Sequence, residues 1–297
     1  MNKVLIILGP TATGKSSLAV KLAKKYNGEV ISADSRQVYK GLNIGTGKIT
    51  KKEMRGIPHY MLDVISPKKV FSVSDWQKQT KKIVEDILSR GKLPIICGGT
   101  GFYIQSIVDN ITLPEVPPNK VLRKKLEGKT LLELNTILKK LDKKRCENID
   151  TKNPVRLIRA IEIATKLGKV PTLQRAQGKD SLEFLQIGLT LPDKELKNKI
   201  NKRLLSRIKS GMIKEAQNLH KNGLSWKRMR QLGLEYRYLA DYVEKRMTET
   251  EFIQKLETEI WRYAKRQMTW FRRDKEIKWF TPNQMKKIEE EINRWTY

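Results

Sequence analysis

The stretch KVLIILGPTATGKS, residues 3–16, runs from an apolar segment into a glycine-bounded turn and on into SLAVKLAKKY (17–26), whose apolar positions recur at helical spacing. Strand, turn and helix in that order, with Gly9, Gly14, Lys15 and Ser16 at G-x-x-x-x-G-K-[ST] spacing, form the pattern of a phosphate-binding turn. The turn itself comprises Gly9, Pro10, Thr11, Ala12, Thr13 and Gly14. Its backbone N–H groups and the helix N-terminus point at phosphate oxygens, Lys15 neutralises them, and the Ser16 hydroxyl is placed to ligate Mg²⁺. The pattern identifies phosphates and not what lies beyond them. ATP, as in a kinase or motor, and another diphosphate whose organic half is the substrate both stay open.

Working outward, Val- and Ile-rich runs predict strands at Val4–Leu8, Glu29–Ser32, Leu93–Cys97 and, much later, Phe184–Leu191. Helical patterns span Ser16–Tyr26 and Ser74–Arg90, with Ser74 as N-cap and Gly91 as the stop. Such alternation predicts an α/β fold, a P-loop NTPase-like parallel sheet flanked by helices. LPEVPPNK (113–120) reads as a linker, and the segments 122–141 and 153–168 are helical without strand signals. A mostly helical insertion domain over 115–180 is therefore expected, dividing a core of 1–114 and 181–297. From Lys194 onward the chain reads as mostly helical, with breaks near 222–225 and 281–283.

Composition narrows the partners. Sixty-one Lys and Arg stand against 32 Asp and Glu, a formal net charge of +29, which points to a polyanion: nucleic acid first, an anionic membrane surface second. A general lysine bias of the genome is the plain alternative. No apolar run approaches the ~20 residues of a membrane span, and the short N-terminal segment is no signal peptide. Cys97 and Cys146 have neither metal nor redox spacing, so a cytoplasmic protein without zinc or disulfides is expected.

Two further segments reach the same rim of the sheet. Asp34 follows the second strand, at the carboxyl edge where open parallel sheets bind ligands. A carboxylate there can reach Mg²⁺ through water, act as a general base, or simply cap a turn beside Ser35. The run KLPIIC ends in GGTGFY (98–103) with no carboxylate, which counts against a motor ATPase, and Thr100 sits amid its glycines. Near the C-terminus, Lys265, Arg266, Arg272 and Arg273 alternate with Trp261, Tyr263, Trp270 and Phe271. Cations on phosphates with aromatics on unpaired bases suit a single-stranded RNA loop, although Trp261, Ala264, Met268 and Phe271 share a helical face that suits core packing.

Taken in order, GPTATGKS (9–16), ISADSRQVYKGLNIGTGK (31–48), GIPHYMLDV (56–64), FSVSDW (71–76), GGTGFY (98–103), NPVRLIRAIEI (153–163) and YAKRQMTWFRRD (263–274) resemble the tRNA dimethylallyltransferases. The resemblance spans nearly the whole chain. It implies transfer of a dimethylallyl group from dimethylallyl diphosphate to N6 of adenine 37, beside the anticodon of tRNAs that read codons starting with U. Under it the phosphate turn and Arg203 hold the diphosphate, with Mg²⁺ on Ser16. Asp34 is the general base, and Thr100 lines the channel where the two substrates meet. The same resemblance makes Asp34, Ser35, Arg36, Gln37, Thr100, Arg123, Arg156, Arg159, Lys265, Arg266, Gln267 and Arg272 tRNA contacts. One RNA per chain makes a monomer the expectation, and the lack of the zinc-finger extension of eukaryotic relatives favours a bacterial-type enzyme. One segment departs: Leu234 and Glu235 follow Gly233 where the commoner family form has tyrosine and then Lys or Arg. An adenylate isopentenyltransferase is the nearest alternative. A small-molecule kinase and a non-catalytic RNA-binding module are the more distant ones.

Overall fold

The computed structural model describes residues 2–172 and 182–296. In chain order its elements are β1 (Lys3–Leu8), α1 (Lys15–Lys25), β2 (Gly28–Ala33), α2 (Lys51–Met54), β3 (His59–Tyr60), α3 (Val73–Ser89), β4 (Leu93–Gly98) and α4 (Gly101–Val108). Four helices follow, α5 (Lys120–Glu127), α6 (Leu131–Leu141), α7 (Lys143–Glu147) and α8 (Pro154–Leu167). The remainder is β5 (Glu183–Leu189), α9 (Asp193–Lys209), α10 (Met212–Lys221), α11 (Trp226–Gln231), α12 (Leu234–Val243), α13 (Glu249–Phe271), β6 (Lys278–Phe280) and α14 (Met285–Thr296). Contacts group these into two compact units, Met1–Val108 with Gly178–Tyr297, and Asp109–Gln177. The expected end of the insertion at residue 180 lies outside the described residues.

The first unit is built on a six-stranded parallel sheet in the order β3-β2-β4-β1-β5-β6. From Val4 to Leu8 its central strand β1 is apolar and buried because helices cover both of its faces, so no polar alternation is needed. Successive side chains still point oppositely. Leu5 and Ile7 pack with Leu18 and Leu22 of α1 and Ile288 and Ile292 of α14. Val4, Ile6 and Leu8 join the larger core formed with α3, α4 and α9–α13. Asp109–Gln177, taken by itself, closes around Leu126, Leu134, Leu138, Leu157 and Ile161. Among the described residues no helix is long and apolar enough to cross a membrane.

One local expectation is corrected. The N-cap of α3 is Ser72, not Ser74, because only Ser72 has an acid three residues on: Asp75 N donates to Ser72 Oγ (3.1 Å), while Ser72 N donates to Asp75 Oδ2 (2.8 Å). Gly91 does end the helix, at φ +68° with its N–H on the Leu88 carbonyl. The C-terminal part is mostly helical, as expected, and its one strand among the described residues, Lys278–Phe280, pairs with β5 at the sheet edge. Three residues, like the two of β3 at the opposite edge, are too few to carry a strand pattern.

Candidate active site

The carboxyl ends of β1, β2 and β4 form one rim, and three short segments leave it. The first is the phosphate turn. Gly9 has φ +133°, and a Cβ there would meet the Leu189 carbonyl of the adjacent strand; Gly14 has φ +90° and leads into α1. Ala12 occupies the left-handed region at φ +65°, a strain the turn holds. Thr13 Oγ1 donates to the Pro10 carbonyl (2.9 Å) from a buried position, and Lys15 Nζ reaches the same oxygen (2.6 Å). Burial pulls the Lys15 ammonium down to about 8; Arg203 adds to the fall, while Cys97 and Asp34 oppose it.

The second and third segments are tied together. Asp34 Oδ1 accepts the N–H groups of Arg36 (2.8 Å) and Gln37 (3.3 Å), leaving Oδ2 without a protein donor among the described residues. Thr100 Oγ1 accepts from Ser35 N (3.0 Å), and Thr100 N donates to the Ala33 carbonyl (3.1 Å). The glycine turn after β4 is thus laced to the residues flanking Asp34. Gly98 allows the approach, because a Cβ there would strike the Ala33 backbone. Asp34 thus caps its turn through Oδ1 and keeps Oδ2 at the rim.

Mg²⁺ fits this donor set only as a companion of the substrate. No group of three His, Cys, Asp or Glu able to hold a metal occurs among the described residues. What the rim offers is the exposed Ser16 hydroxyl at the first turn of α1. Mg²⁺ is commonly bound that way, by few protein oxygens together with phosphates.

Arg203 lies beside the phosphate turn, donating to Thr11 Oγ1 (3.2 Å) and the Gly47 carbonyl (3.4 Å). Beside it, one helical turn on, is a residue that sequence reasoning missed. Arg207 donates to the Gly45 carbonyl (3.3 Å) and faces Glu235 at 3.7 Å. Burial pulls Arg203 down to about 10, chiefly by desolvation and then by Arg207; it also lowers Arg207. Burial pushes the Glu235 carboxyl up, against the pull of Arg207. The R-x-x-x-R spacing on α9 is the signal that could have found Arg207.

Helix α13 packs its inner face on the rim. Gln267 is a correction: an RNA contact was expected, but it is 6% exposed and its amide is used inside the protein. Its Oε1 accepts Thr11 N (2.9 Å) and its Nε2 donates to the Gly99 carbonyl (2.8 Å), joining the phosphate turn to the glycine turn. Ala264 and Phe271 are buried and Trp261 and Met268 half-buried, so the apolar stripe is core packing. Lys265, Arg266 and Arg272 are exposed on the other side. Lys265 lies over the Trp261 ring and Arg266 over Tyr263.

In the second unit, Arg123 makes a two-pronged pair with Glu162 (2.7 Å each), and Arg159 joins it at 3.3 Å while donating to the Val116 carbonyl (2.8 Å). Arg156 is exposed, with Asp150 at 3.6 Å. These three therefore differ in how free their guanidinium groups are to meet a phosphate.

Comparison with known proteins agrees with the geometry. The IPP transferase family matches residues 37–274. The chain is 44% identical to tRNA dimethylallyltransferase 2 of Treponema denticola, over 91% of each chain. It is 41% identical to the tRNA dimethylallyltransferase of Anoxybacillus flavithermus, over 94% of this chain and 90% of that one. Its fold superposes on the tRNA isopentenylpyrophosphate transferase of Bacillus halodurans with a TM-score of 0.74, at 34% identity, covering 99% and 96% of the two chains. A eukaryotic dimethylallyltransferase solved acting on tRNA gives a TM-score of 0.73 at 25% identity, over 91% of this chain and 69% of that one. A phosphate turn, an open carboxylate and a cationic helix on one sheet edge thus coincide with full-length likeness, and the chain belongs to the IPP transferase family of tRNA dimethylallyltransferases.

Proposed function

We propose that this chain transfers the dimethylallyl group of dimethylallyl diphosphate to N6 of adenine 37 in tRNAs reading codons that start with U, releasing diphosphate. The observation that carries this reading is the Asp34 oxygen left without a donor, laced through Ser35 and Thr100 to the rim that also bears the phosphate turn. An adenine amine is a weak nucleophile because its lone pair is delocalised into the ring. A carboxylate within reach of it takes one N6 proton as the new bond forms. The N6–C1 bond forms, the C1–O bond to diphosphate breaks, and the proton rests on Asp34 Oδ2. Thr100, held beside it, lines the meeting point of base and donor.

On the donor side the leaving group accumulates negative charge. Lys15, Arg203 and the N–H groups of residues 9–16 stabilise it without reorganising. Ser16 would hold Mg²⁺ there, and the ion when bound supplies further charge stabilisation to the diphosphate oxygens. Adenine stacked in a loop does not expose its amine to a buried carbon, so the base is flipped into the site. Lys265, Arg266 and Arg272 contact the anticodon stem-loop from α13, and Ser35, Arg36 and Gln37 meet the RNA at the rim. Arg156 contributes from the second unit, while Glu162 holds Arg123 and Arg159 back as weaker contacts. The enzyme works as a cytoplasmic monomer.

Mass spectrometry of nucleosides from tRNA incubated with the protein, Mg²⁺ and dimethylallyl diphosphate tests the reading. N6-dimethylallyladenosine at position 37 is expected, with little transfer to AMP. Absence of that nucleoside, or preference for AMP, overturns it.

A further inference from the structure

The loop 43–47 that carries the carbonyls under Arg203 and Arg207 is not part of any helix or strand, yet its backbone is gripped at one point. Glu215 of α10 accepts three consecutive N–H groups, those of Asn43 (3.0 Å), Ile44 (2.8 Å) and Gly45 (3.0 Å). The Tyr236 hydroxyl, from the segment that departs from the commoner family form, donates a fourth bond at 2.6 Å. An ionised carboxylate has lone pairs for about four donors and nothing to donate, so Glu215 is filled to capacity. Tyr236 is 1% exposed, and its ring lies so close to Gly45 that a Cβ there would overlap it. Gly47, at φ +60°, leaves room for both guanidinium groups; a side chain would occupy their place.

The arginines need that loop. Two like charges at i and i+4, both drawn from water, repel one another; burial lowers both pKa values, and Arg207 lowers that of Arg203 further. What holds them side by side is Thr11 Oγ1 and Gly47 O under Arg203 and Gly45 O under Arg207, with Glu235 facing the latter, so the loop supplies one contact to each guanidinium. Glu215 fixes the three peptide groups immediately before those carbonyls, the ones that end at Asn43, Ile44 and Gly45, and so anchors the start of the loop that carries them.

We infer that Glu215, completed by Tyr236, is a positioning residue for the donor diphosphate: it shapes loop 43–47 so that Arg203 and Arg207 are aimed together before substrate arrives. The inference rests on the proposed diphosphate site. It is tested by measuring, for wild type, E215A, E215Q and Y236F, the affinity for inorganic diphosphate with Mg²⁺, KM for dimethylallyl diphosphate, KM for tRNA, kcat and the thermal midpoint. E215A is expected to weaken diphosphate binding and raise donor KM by about 10–100-fold, the scale of lost charge-assisted hydrogen bonds, with tRNA KM within about twofold. E215Q keeps one acceptor oxygen and recovers part of the loss, and Y236F loses about threefold. Unchanged diphosphate affinity and donor KM in folded E215A overturns the inference. So does a parallel fall of every parameter with the thermal midpoint, which is what a merely structural role produces. Should E215A not fold, a donor-specific loss in E215Q and Y236F supports the inference and its absence there overturns it. Failure of wild type to bind inorganic diphosphate strikes the proposed site instead.

Discussion

Strand β2 carries an acid at each end, and the two are opposites. Glu29, near its start, is 1% exposed and saturated: Arg90 grips both oxygens (2.7 Å each), with Lys92 at 2.6 Å and the Tyr60 hydroxyl at 2.7 Å. Arg90, then Lys92 and Tyr60, hold its carboxyl down to about 2 against the effect of burial. Asp34, just past its end, uses one oxygen on its own turn and leaves the other open. In a parallel sheet the amino-terminal edge is where connections are tied down and the carboxyl-terminal edge is where ligands enter. The filled carboxylate is part of the architecture, and the half-filled one stands where the proposed function needs a base.

The largest effect that tests this contrast is on turnover. D34A is expected to lower transfer by about 10²–10⁴-fold, while tRNA affinity and urea midpoint stay near wild type. Near-normal turnover would remove Asp34 from the base role. The mirror variant, E29Q, should cost about 2–3 kcal/mol in urea unfolding, less than a fully buried pair because Arg90 and Lys92 reach solvent, yet leave kcat per folded molecule unchanged. Its pH dependence has a definite sign. A carboxyl held at about 2 rather than its ordinary 4.5 contributes stability that is complete above 4.5 and lost as pH falls toward 2. Acid unfolding curves of wild type should show that loss and those of E29Q should not.

Lys15 sharpens the comparison from the donor side. Its ammonium titrates at about 8 in the free protein, so kcat/KM for dimethylallyl diphosphate should fall above that pH, limiting at about tenfold per unit, while KM for tRNA stays flat there. A donor kcat/KM that is flat to pH 10 contradicts this. The smallest effect concerns Glu235, which faces Arg207 where the substrate's charge is expected. E235Q should lower donor KM about threefold by freeing that guanidinium, the scale of a loose ion pair. An unchanged or higher KM would mean that Glu235 orients Arg207 rather than competing for it.

Much of this was readable before the structure because it is local. The phosphate turn spans eight consecutive residues whose spacing is the motif, and Asp34 and Thr100 each follow an apolar run that ends where a strand ends. Glu29 was silent, since its cations lie 61 and 63 residues away and meet it only when β2 and β4 pair. Glu215 was silent for the same reason, standing about 170 residues from the loop it holds. Gln267 misled because it sits among exposed cations on a 23-residue helix, and only the packing of α13 shows that its side of that helix turns inward. Arg123 and Arg159 read as free charge until Glu162, buried in the same unit, claimed them.

Cys97, the residue before Gly98 in β4, lies close enough to Lys15 for each to perturb the other. Burial pushes its thiol up to about 12, with Lys15 pulling the other way. An allylic diphosphate is an alkylating agent, and a thiolate is a far better nucleophile than an adenine amine. Kept protonated by dry packing, the Cys97 sulfur is a poor nucleophile toward such a reagent even though Lys15 is its neighbour.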